Sequence, residues 1–74
     1  MSALSSRDAG ALEHFLRLSI EDVRERARDQ SWQTGGTWSG LLRLMERKGY
    51  DRVNELGTAA AVAWAVQLTI VPRQ

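Results

Sequence analysis

Residues 59–66 read Ala-Ala-Ala-Val-Ala-Trp-Ala-Val, and wound as a helix they are apolar on every side. A helix of that kind has to be buried all round or sit in lipid. This chain has only 74 residues in which to bury it, and a domain of that size hides only about 60% of the surface its unfolded chain exposes. The apolar stretch runs from Gly57 to Val71 and contains Gln67. As a helix it spans about 22 Å, short of the ~30 Å hydrocarbon core of a bilayer. The N-terminus, Met1 to Asp8, carries neither a basic segment nor an apolar run of the signal-peptide kind. The expected protein is therefore cytoplasmic, without a membrane partner, and has a greasy helix in search of cover.

Small residues recur every fourth position along that helix, as Gly57, Ala61, Ala65 and as Ala59, Ala63, a spacing that lets another helix approach closely. Oligomerisation is a common rescue for a core this small. The sequence therefore predicts a homodimer whose seam is the C-terminal helix, with Gly57, Ala60, Ala61, Trp64, Ala65 and Leu68 in contact with their symmetry mates. A compact monomer with this helix at its centre is the competing expectation.

The rest of the chain reads as all-α: a small three-helix domain, or a four-helix one if its first region breaks. The one proline, Pro72, interrupts nothing before the last three residues. Helices are expected at about 7–29, 38–48 and 52–70, with a Gly-rich loop over 30–37, all within a single domain. In the first, Leu12, Leu16, Ser19, Ile20, Val23 and Ala27 fall on one face with Phe15 at its edge, and Ser5 or Ser6 supplies a cap. Ser19-Ile20-Glu21-Asp22 is itself a good helix start, so a bend near Ser19 is an alternative to one continuous helix. In the second, Trp38, Leu41, Leu42 and Met45 form a helical stripe, and Gly49 is placed to close the helix in a left-handed conformation.

Chemistry-bearing motifs are scarce. There is no cysteine and a single histidine, His14, which leaves neither a thiolate or zinc site nor a His-based triad to assemble. Glu13 with Arg17 and Asp22 with Arg26 are i, i+4 pairs, which describe a solvated helix face rather than paired catalytic carboxylates. Gly35-Gly36 lacks the Walker spacing and its Gly-Lys-Ser/Thr ending. The expectation is a non-enzymatic protein with no cofactor and no metal.

Two features read as contact elements. Trp32 and Trp38 flank the Gly-Gly turn, and tryptophan is a common interface anchor, although either ring would equally close the end of a core. Arg43, Arg47, Lys48 and Arg52 cluster around Gly49 in a half of the chain (residues 38–74) with five bases and three acids, against five and six in residues 1–37. Arginine forks suit phosphate or an acidic protein surface, although cations in the last turn of a helix equally serve its dipole and solubility. A helix-turn-helix built on Gly49 puts Met45 where a small residue packs, and its second helix runs straight into the alanine segment. These readings converge on a regulator, adaptor or inhibitor that binds a larger protein. The alternative is a dimeric nucleic-acid-binding regulator using the same four basic residues.

Overall fold

The computed structural model describes residues 5–34 and 36–72, and the side chains of all of these except 30–34. Four α-helices occur in this span: α1 (Ser6–Leu16), α2 (Ile20–Thr34), α3 (Thr37–Lys48) and α4 (Thr58–Gln67), with a 3₁₀ turn over Val53–Leu56 between the last two. None of the described helices is long and apolar enough to cross a membrane.

The first expected helix, 7–29, is two helices. Ser5 Oγ accepts from the Asp8 N–H at 3.1 Å and starts α1, which closes when the Arg17 and Leu18 N–H groups turn back to the His14 and Phe15 carbonyls. Ser19 then opens α2 with a reciprocal capping box. Its Oγ accepts from the Asp22 N–H at 3.1 Å, and the Asp22 carboxylate accepts from the Ser19 N–H at 2.9 Å. The cap therefore prevails over the continuous apolar stripe. The expected loop over 30–37 is also shorter than its composition suggests, because α2 continues to Thr34 before Gly36, at φ 85°, turns the chain into α3.

At the far end of α3 the predicted stop is present. Gly49 sits at φ 76°, its N–H meets the Glu46 carbonyl, and the Tyr50 N–H reaches the Met45 carbonyl at 2.9 Å, which is a Schellman motif. The helix expected over 52–70 is broken as well. Glu55 turns its carboxylate back onto the N–H groups of Asp51 and Arg52, tightening Val53–Leu56 into 3₁₀, and Gly57 at φ 92°, ψ 157° leaves the helical region before α4 begins.

Two corners are stitched together. The Ile20 N–H donates to the Asp51 carbonyl at 2.7 Å and the Val53 N–H to the Leu18 carbonyl at 3.0 Å, around an antiparallel bridge of Ser19 with Arg52. The Arg52 guanidinium adds a bond to the Arg17 carbonyl. The α1–α2 corner is thereby tied to the start of the 3₁₀ turn. Below it lies a wholly apolar core: Phe15, Leu18, Val23, Ala27, Trp38, Leu41, Met45, Val53, Ala61, Ala65, Leu68 and Val71. The fold is flat, with extents of 34 × 25 × 15 Å. Helices pack with axes 8–10 Å apart, so the short dimension admits two layers and no third.

α4 ends as α3 does, with the Thr69 and Ile70 N–H groups returning to the Val66 and Ala65 carbonyls, but the left-handed position is held by Thr69 at φ 59°. A β-branched residue is strained there. Thr69→Gly is expected to raise stability by roughly 0.5–1 kcal/mol in urea unfolding, even though it loses the hydroxyl bond to the Leu68 carbonyl; a loss of stability would contradict this. At the α2 cap, Ser19→Ala is expected to cost about 1 kcal/mol. Hydrogen bonds from Ser19, its backbone N–H foremost, hold the Asp22 carboxyl below its ordinary pKa of 3.8, with Arg26 and Arg52 adding to the effect. Because the folded value is depressed, the stabilisation is full above the ordinary value and fades as pH falls through the folded one. Asp22→Asn should remove that part of the acid dependence, which unfolding curves from pH 6 down to about pH 2 will register.

Candidate functional site at the α3–α4 face

The α4 helix is covered along one arc only. Ala61 and Ala65 are fully buried and Leu68 nearly so, while Ala59, Ala60 and Ala63 are exposed and Val62, Trp64 and Val66 are half-buried. At about 100° per residue the buried three lie together, and Ala59 and Ala63 point the opposite way. Of the six residues expected to form a dimer seam, Ala61, Ala65 and Leu68 are therefore taken up by the chain's own core. Gly57, Ala60 and Trp64 remain at the surface.

Trp64 lies on the flank of α4 that faces α3. Its ring rests against Gly40, where a Cβ would stand 3.5 Å from the ring edge. Two clefts open on either side of this contact. One, about 440 Å³, is lined by Thr37, Gly40, Ala63, Trp64 and Gln67. The other, about 540 Å³, is lined by Gly40, Leu44, Trp64, Arg43 and Arg47. They meet at Gly40 and Trp64, so the α3–α4 face carries two adjoining clefts, a shallow groove interrupted by the indole, and two guanidinium groups line the second cleft.

Arg43 and Arg47 lie one helical turn apart, both are exposed, and neither has a carboxylate partner among the described residues. The nearby acid is engaged elsewhere: Glu46 reaches across to Arg24 of α2 at 3.4 Å. The other two residues of the expected basic cluster lie apart from this pair. Arg52 is bound to the Arg17 carbonyl at the corner of α1, and exposed Lys48 is not among the residues lining the groove. The structure thus brings two of the four together.

Trp38 is core. It is 4% exposed, meets Phe15 edge to face with ring centres 6.1 Å apart, and carries Arg26 over its own ring at 5.8 Å. It is unavailable as an exposed anchor. The side chain of Trp32 lies outside the described residues. His14 is exposed on α1, and among the described residues no three His, Asp or Glu side chains converge as a metal site would require.

Gly40 and Leu44 were not singled out as contact residues by the sequence, and Ala63 was marked only through its small-residue spacing with Ala59. Leu44 has the i, i+4 relation to Gly40 that marks a shared face, but the partner that gives it meaning, Trp64, comes from another helix. In comparisons with known proteins the chain matches no family model, no curated protein and no solved structure.

Gly40 sits inside α3, and the space above it suits a methyl group at ordinary contact distance from Trp64. Gly40→Ala is expected to stabilise the fold by about 0.5–1 kcal/mol through helix propensity alone. Thermal unfolding checks this, and a destabilised variant would mean that Trp64 sits closer to α3 than described.

Proposed function

We propose that this protein works without catalysing a reaction, as a regulator, adaptor or inhibitor that binds a larger protein through the α3–α4 face. The observation that carries this reading is the uncovered side of α4: an apolar helix surface, beside a half-buried tryptophan, left in water by a fold only two layers thick. Contiguous apolar surface edged by charge is the ordinary mark of a protein-binding site. The core offers no competing centre, since no buried residue in the described structure is polar or charged.

Self-association belongs to the same proposal. A second copy covers the outward row of Ala59, Ala60 and Ala63, giving a homodimer. The scale of such a contact sets a condition. A stable interface takes about 800 Å² from each partner, close to a sixth of the 5027 Å² this chain exposes. Three alanines are too small to supply that area, so the contact has to extend over Trp64 onto α3, which makes the second copy and the larger partner alternative occupants of one face.

Two measurements test the reading. Sedimentation equilibrium at micromolar concentration is expected to show a dimer for the wild type and a monomer for Ala63→Arg; a wild type that stays at 8.3 kDa removes the dimer. A photo-crosslinking residue at position 63, in the cells that make the protein, is expected to capture one discrete larger protein that the same residue at exposed Glu25 does not. Equal capture at both positions would end the protein-binding reading.

A further inference from the structure

The geometry points to a specific occupant for the groove: an amphipathic helix of the partner protein that carries two carboxylates one turn apart beside its apolar stripe. This inference rests on the protein-binding reading and adds the chemistry of what is bound.

Three observations carry it. First, the groove runs between two helices and no described residue offers a free sheet edge, so helix-in-groove docking is the recognition mode the surface fits. Second, Trp64 rests on Gly40 where the two clefts meet and Ala63 lines one of them, so the middle of the face is a large apolar ring beside small residues, the kind of surface an apolar helix stripe packs on. Third, Arg43 and Arg47 stand a helical turn apart at one end with no carboxylate partner among the described residues, while Arg17, Arg24 and Arg28 all pair with carboxylates of their own chain. Two guanidinium groups at that spacing match Asp or Glu at i and i+4 on a facing helix, where each carboxylate can be held by a guanidinium fork. The chain's own acidic row on α2 does not serve, because Glu21, Glu25 and Asp29 alternate with Arg24 and Arg28 and lack an apolar stripe beside them. A nucleic-acid strand is a poorer occupant, since its phosphates would meet two arginines and an otherwise uncharged groove.

The test is a display library of helical 16-residue peptides, selected in parallel on the wild-type protein and on the Arg43→Glu, Arg47→Glu double variant, with circular dichroism to verify that the variant folds. The expected result is enrichment, on the wild type, of peptides with an apolar stripe edged by two acidic residues three or four positions apart. The double variant should enrich Lys or Arg at those same positions, and an acidic peptide from the first selection should bind it at least tenfold more weakly. Peptides without charge preference, the same winners on both proteins, no enrichment at all, or tight salt-sensitive binding of a labelled DNA duplex in place of peptide would overturn the proposal. If crosslinking from position 63 still captures a discrete protein in any of those cases, protein binding stands and only the acidic helix is lost.

Discussion

Eight of the ten residues of α4, 59–66, are alanine, valine or tryptophan, and the elements around it bury only the arc of Ala61, Ala65 and Leu68. The alanines let α4 sit close against the core, and closeness keeps the fold thin. Among the described residues, no element lies over Ala59 and Ala63. Retaining apolar surface in solution is unfavourable at ~25 cal/mol per Å², and this exposed side of α4 is the observation on which the proposed protein contact rests.

The arginine pair owes its availability to the rest of the scaffold. The bridge between Ser19 and Arg52 fixes the α1–α2 corner, and α2 then packs along α3 so that Arg24 can take up Glu46. With Glu46 drawn toward α2, no acid on α3 neutralises Arg43 or Arg47 from within. Exposed ion pairs contribute little to stability, and the consequence of this one lies in which charges it leaves unsatisfied on the groove side.

Much of the fold was legible in the sequence because its boundaries are set by local chemistry. The Gly49 stop and the Ser5 start need only their own neighbours, and both stand where the residues imply. The break at Ser19 was visible as a capping signal, yet a continuous stripe argued against it. The cap prevails in a structure where the Ile20 N–H also donates to the Asp51 carbonyl, more than thirty residues away and invisible to local pattern. The split at Gly57 was hidden for a similar reason, since a lone glycine in an apolar run is a weak signal until Glu55 is seen turning back onto Asp51 and Arg52. At the candidate site, periodicity showed that α4 was apolar all round but not which arc its own chain would claim. Ala61 and Ala65 look no different in sequence from Ala59 and Ala63. The groove itself was beyond reach, because it exists only where Trp64 of one helix meets Gly40 of another.

The most direct measurement uses the fact that the chain has no cysteine of its own. A single cysteine placed by Ala63→Cys, and another by Glu25→Cys as an exposed reference, can be timed for alkylation in dilute buffer and in an extract of the cells that make the protein. Slowing of tenfold or more at position 63 in the extract, with position 25 unchanged, is the predicted result. Equal rates at the two positions in both settings would mean that the open side of α4 stays bare where the protein works.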